Sequence, residues 1–377
     1  LSNDGVLPLA ARARIAVLGP NATTWTGLLG CYSFPAHVGG QHPDVPLGID
    51  LPTPLEALRR ELPDAAITAV TGTGIDDFDT AGIPDAVAAA RDADVAIVVL
   101  GDRAGLFGRG TSGEGCDVGS LVLPGAQQAL LDAVLDVGTP VVVVLLTGRP
   151  YALGAAPQRA AAILQAFFPG EEGSAAVAGV LSGRVNPSGR LPVSVPGRPD
   201  AQPSTYLAAR LASGSDVSSV DPAPAFAFGH GLGYTSFTWT DAEAPERIRL
   251  GDPIEVAVTV RNSGDRAGTE VVQLYLSDPV ASVVRPVQRL VGYTRVDLEP
   301  GAAARVRFTV PADLASFTGL GGRRVLEPGD LDLRVAASSA DARAVLRVRL
   351  EGDAVEYDDA ADAARALTST TQVTALP

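Results

Sequence analysis

From residue 12 to about residue 200, short unbroken apolar runs alternate with stretches whose apolar positions recur at intervals of three and four. "RIAVLGPNA" reads as a strand entering a loop, "TPLEALRREL" as a helix, "AITAVTG" as a strand, and "IPDAVAAARDA" as a helix leading into the strand "DVAIVVLGD". After a Gly-rich loop, "PGAQQALLDAVLDVG" predicts a helix opened by Pro124 and closed by Gly138. "PVVVVLLTG" and "AILQAFFPG" then predict two more buried strands. Strands apolar on both sides, with helices between them, require a sheet covered on both faces. The expected fold for this part is therefore α/β, a mostly parallel sheet sandwiched by helices.

The pattern then changes twice. "PGRPDAQPSTY" and "DPAPAFAFGHG" carry no period and are rich in Pro, Ser, Gly and Ala, which predicts a linker over 201–235. From 236 to 351 the period is two: Val256, Val258 and Val260 alternate with Ala257, Thr259 and Arg261, as in a strand with one wet face. With turn signals between the strands and almost no helical pattern, this predicts an all-β sandwich of the immunoglobulin or fibronectin III type. Residues 352–377 begin acidic and end in Ser, Thr and Ala, and are expected to form a poorly anchored tail.

Charge and composition narrow the partners. The chain has 377 residues with 43 acidic and 29 basic side chains, a formal charge of −14, which disfavours nucleic acid and anionic membrane surfaces. No apolar run reaches the roughly 18 residues a spanning helix needs. Cys31 and Cys116 lie in no C-x-x-C spacing, and His37 and His42 are five apart with no third ligand nearby, so neither a metal nor a cofactor is expected. Every basic side chain apart from histidine is arginine, which removes the Walker-type loop, the Schiff-base lysine and the lysine general base. There is no methionine and the chain starts at Leu1, so it is expected to be processed or part of something longer. The oligomeric state is left open.

The loop "GRGTSGEGCD", residues 108–117, admits two readings. Gly108, Gly110 and Gly113 satisfy the G-x-G-x-x-G spacing of a dinucleotide-binding turn. That turn should follow the first strand directly and be matched by an acidic residue about 20 positions on. Here the strand is a late one, six residues separate Gly101 from Gly108, and the next strand ends in Thr147-Gly148-Arg149. The other reading is a loop that presents one carboxylate. Glu114 lies between Gly113 and Gly115, where its backbone is free to take positive φ, and it follows the carboxyl end of a parallel strand. Arg103, Arg109 and Asp117 are close enough in sequence to position it.

These residues resemble a known family. "LSNDGVLPL", "IAVLGPNA", "SGEGCD", "LLTGRPYAL", "QAFFPGEEGSAAVAGVLSGRVNPSGRLPVSVP" and "FAFGHGLGYTSFTW" occur in the order found in glycoside hydrolase family 3, the β-glucosidases and β-xylosidases. "RNSGDRAGTEVVQLYLSDP" and "LVGYTRVDLEPGAAARVRFTV" are similar to that family's fibronectin type III-like domain. The resemblance covers roughly residues 1–350. It implies a retaining, exo-acting β-glycosidase in which Glu114 is the general acid/base and an Asp nucleophile lies on an N-terminal barrel domain. No Asp-Trp dipeptide and no barrel-length segment occurs here. The family often has Arg where Val118 stands, so an ion pair from that Arg is not expected. Tyr32 and Ser33, in "LLGCYSFPAH", are expected at the sugar site, or else in a purely structural loop, and Arg109 is counted among the substrate-contacting residues. The expected partners are a carbohydrate, a β-xyloside before a β-glucoside, and the barrel. The competing classes are a non-catalytic carbohydrate-binding or scaffolding module and a dinucleotide oxidoreductase.

Overall fold

The computed structural model describes residues 1–42, 44–200, 205–212 and 214–376. The chain divides into two compact units, Leu1–Pro187 with Val195–Gln202, and Ser188–Ser194 with Pro203–Pro377.

The first unit is built on strands β1 (Ser2–Asn3), β2 (Arg14–Leu18), β3 (Ala66–Val70), β4 (Val95–Gly101), β5 (Val141–Leu146) and β6 (Ala162–Gln165). Between and after them run helices α1 (Phe34–His37), α2 (Pro54–Glu61), α3 (Ile83–Arg91), α4 (Gln127–Leu135), α5 (Ala156–Arg159) and α6 (Gly173–Ser182). The sheet order is β1-β6-β5-β4-β2-β3, parallel throughout except for β1. Every residue of β4 and β5 is buried, as expected for strands covered on both faces. The helices that cover them pair as α2 with α6 and α3 with α4.

Helix α2 shows how the sequence sets its own boundary. Thr53 accepts from the Glu56 N–H, the Glu56 carboxylate accepts from the Thr53 N–H, and Pro54 occupies the first turn. Leu55, Ala57 and Leu58 form its buried face. Helix α4 starts at Gln127, three residues after the proline that was expected to open it. Helix α6 had no periodic signal, because Val177, Ala178, Gly179, Val180 and Leu181 are all buried and leave no polar face to read.

The second unit comprises β7 (Phe237–Glu243), β8 (Arg247–Arg249), β9 (Ile254–Asn262), β10 (Gly268–Ser277), β11 (Arg289–Leu298), β12 (Ala303–Val310), β13 (Phe317–Thr318), β14 (Arg324–Leu326), β15 (Gly329–Ser338), β16 (Asp341–Glu351), β17 (Val355–Glu356) and β18 (Thr370–Leu376), with the short helix α7 (Asp359–Ala363). Two sheets, β11-β10-β15-β16-β8 and β18-β12-β9-β7, supply the core, including Val256, Val258, Val260, Leu274, Val306, Phe308 and Leu333.

Two segments differ from expectation. The terminal stretch read as a loose tail contains β18, which pairs with β12 from Ala303↔Leu376 to Thr309↔Thr370. Its Thr and Val residues suit a pleated edge, and the ladder satisfies their backbone. Residues 188–194 group with the second unit. The Arg190 guanidinium bonds Glu270 at 2.5 Å with both side chains largely buried, and the Leu191 N–H and carbonyl bond His230 and Gly229. Of the expected linker, residues 201–204 and 213 lie outside the described residues, whereas Tyr206 stacks on Phe228 with ring centroids 4.2 Å apart.

His230 is largely buried against Phe226, with ring centroids 5.4 Å apart. Burial holds its imidazole below the ordinary value of about 6.5. Charging it therefore favours the unfolded chain. The stability that neutral His230 contributes is complete above that ordinary value and is lost as pH falls through the lower folded-state value. Urea unfolding between pH 7 and 5 is expected to show a smaller acid-induced loss in His230→Phe than in the wild type. Identical pH slopes would remove the assignment.

Candidate active site

The sheet order places the site. From β2 the chain moves outward to β3, and from β4 it moves the other way to β5 and β6, so the neighbours β2 and β4 flank the point where the winding reverses. Loops leaving the carboxyl ends of two such strands diverge and open a crevice. The loop after β2 carries Tyr32, and the loop after β4 carries Glu114. The Tyr32 hydroxyl donates to Glu114 Oε2 across that crevice, which raises the pKa of the phenol.

Beneath this contact the loop after β4 is fastened by buried polar groups. Asp102 is fully buried, and its carboxyl accepts from Thr111 Oγ1 at 2.6 Å, the Tyr151 hydroxyl at 2.6 Å and the Gly148 N–H at 2.8 Å. The Asp102 carbonyl accepts from Asn21 Nδ2, tying the β2 loop to the β4 loop. Gln127 is also fully buried. Its side chain bonds both backbone groups of Gly101 at 2.8 Å and the Ile75 carbonyl at 2.7 Å. The Arg149 guanidinium reaches the Cys116 carbonyl at 2.8 Å, and Arg103 bonds Asp76 at 2.7 Å.

The glycines serve contact more than freedom. A β-carbon on Gly101 would lie 1.9 Å from the Leu146 carbonyl oxygen, and one on Gly113 would lie 2.0 Å from that of Gly105. Gly113 and Gly115 have φ of 132° and 71°, while Glu114 is not among the left-handed residues. The sequence reading put the unusual backbone on Glu114; it resides in the flanking glycines, and the carboxylate extends into solvent from ordinary backbone. Phe107, with φ 55°, is the left-handed non-glycine residue of this loop.

The other candidate residues fall nearby. Ser33 caps α1, its Oγ accepting from the Ala36 N–H at 3.4 Å. Arg109 is exposed on the same loop as Glu114. Cys116 is buried and Cys31 half-buried, and both are free thiols. Sequence reasoning missed Asn21, Asp102, Thr111 and Gln127, which hold the loop. The one available signal was Asp102, a charged residue directly after a fully apolar strand. Among the described residues no helix opens between Gly108 and Gly125, so the architecture that a dinucleotide fingerprint requires is not formed there.

Residues 1–234 match the glycosyl hydrolase family 3 C-terminal domain, and residues 270–339 match a fibronectin type III-like domain. The chain belongs to glycoside hydrolase family 3. Similar proteins include a β-xylosidase of Formosa agariphila, 34% identical over 90% of the family 3 chain and 46% of that protein. A periplasmic β-glucosidase of Salmonella typhimurium is 33% identical over 89% of the chain and 46% of its own length. A β-glucosidase from Listeria innocua, solved in complex with isofagomine, superposes with a TM-score of 0.82 at 29% identity, covering 94% of this chain and 48% of that one. The family 3 chain thus spans about half the length of the relatives it matches. Its fold is the one expected from the strand and helix pattern, an α/β domain followed by an antiparallel β-sandwich.

Proposed function

We propose that this chain is the acid/base-bearing part of a retaining, exo-acting β-glycosidase that removes terminal β-D-xylosyl or β-D-glucosyl residues. The observation that carries this is Glu114, an exposed carboxylate mounted at the winding reversal of the sheet on a loop whose base is held by three hydrogen bonds to the buried Asp102 carboxyl. A retaining mechanism needs a second carboxylate about 5 to 5.5 Å away to attack the anomeric carbon, and an Asp on a barrel domain supplies it. Glu114 protonates the departing oxygen, then takes a proton from the water that releases the sugar. Tyr32 orients the carboxylate through its hydrogen bond. Ser33, whose Oγ already accepts from Ala36, keeps its own proton to donate to a sugar hydroxyl. The resemblance of "GCYSFPAH" and "GRGTSGEGCD" to β-xylosidase-like members favours the xyloside over the glucoside.

Joined to its barrel, the protein is expected to hydrolyse 4-nitrophenyl β-D-xyloside with a higher kcat/KM than the glucoside, and proton NMR should show the β-anomer of the free sugar forming first. Initial release of the α-anomer would exclude the retaining mechanism. Absence of turnover on both substrates would leave a non-catalytic carbohydrate-binding module.

A further inference from the structure

On the loops that carry Tyr32 and Glu114 lies a concavity of about 280 Å³ whose lining residues include Trp25, His37, Phe107, Arg103 and Arg109. No carboxylate lines it among the described residues, although acidic side chains outnumber basic ones in the chain by 43 to 29. Arg103 is matched by Asp76 at 2.7 Å. The Arg109 side chain has neither a hydrogen-bond nor an ion-pair partner among the described residues, and its backbone N–H donates to the Leu106 carbonyl at 3.1 Å. The concavity therefore carries one uncompensated positive charge beside aromatic surface.

Two contacts join it to the proton donor. The Tyr32 ring, whose hydroxyl bonds Glu114, meets His37 edge-on at 5.9 Å between centroids. The Gly108 N–H, immediately after Phe107, points to the Glu114 carbonyl at 3.5 Å. Phe107 adopts the left-handed backbone at φ 55° and still leaves 69% of its surface exposed. The Phe107 ring is thus displayed beside the concavity instead of being buried.

We infer that this concavity receives the leaving group and selects an aromatic aglycone that bears a carboxylate. The aryl ring lies against Phe107 and Trp25, and Arg109 binds the carboxylate through a charge-assisted pair. This rests on the reading of Glu114 as proton donor, because the group it protonates departs on its side of the bond.

The test compares 4-carboxyphenyl and 4-carbamoylphenyl β-D-xylosides, similar in shape and different in charge, on the full-length protein and on Arg109→Gln. Loss of the charge pair is expected to lower kcat/KM for the carboxylate about tenfold more than for the carboxamide. Arg109→Lys should recover part of the difference, and Phe107→Leu should weaken both aryl substrates. Equal effects of Arg109→Gln on the two substrates overturn the inference and leave the hydrolase reading standing. Turnover of neither aryl substrate by the wild type, as xyloside or as the matching glucoside, removes the hydrolase reading, and this inference with it.

Discussion

In the full-length protein, Glu114→Ala is expected to lower kcat/KM for a disaccharide or alkyl glycoside by about a thousandfold, the scale of a lost general acid. For an aryl glycoside with a strongly acidic phenol the same ratio should fall about tenfold or less, because that oxygen departs without needing a proton. The second half-reaction separates this from a structural effect. With no base to activate water, the glycosyl-enzyme persists, and azide, which needs no deprotonation, should raise kcat and yield a β-glycosyl azide. Comparable losses on both classes of leaving group, with no azide rescue, would make Glu114 a structural residue.

The second large effect is expected at Asp102. Its carboxyl is the shared acceptor for Thr111, Tyr151 and the Gly148 N–H, all at the root of the loop that carries Glu114. Asp102→Ala takes this acceptor from the buried Tyr151 hydroxyl and from the half-buried bonds of Thr111 and the Gly148 N–H, and opens a small void. The expected cost is about 3 to 5 kcal/mol in urea unfolding of the whole chain. Asp102→Asn keeps the volume and one acceptor oxygen, so it should cost about half as much. An alanine variant within about 1 kcal/mol of the wild type would mean that the loop is held by other means. In the full-length protein, Asp102→Ala should also lower kcat for disaccharides through misplacement of Glu114, with a smaller effect on activated aryl glycosides.

What could be read from the residues, and what could not, divides along a physical line. Strands β2 to β6 were legible because a continuous apolar run of four to seven residues has few alternatives when helical patterns flank it. Glu114 was legible as a candidate, though not in its role, because a single carboxylate between two glycines at a strand's end has a chemical reading. The residues that place it were not. Asn21, Asp102 and Gln127 lie as many as 106 positions apart; the parallel register of β2 beside β4 brings Asn21 to the Asp102 carbonyl, and α4 brings Gln127 to Gly101. A period-based reading finds faces, and these three act as single points. Helix α6 was hidden by being apolar all round, and β18 because alternating Thr, Gln, Val and Ala resembles a solvated tail until β12 is there to pair with it.

Gly101, Gly105 and Gly113 bring one strand of main chain against another more closely than any β-carbon allows. If Glu114 is the proton donor we propose, its address is cast in the backbone. Diversification of what such a site accepts would then be written in the neighbours that ring this fixed point, with Phe107 and Arg109 the first places to look.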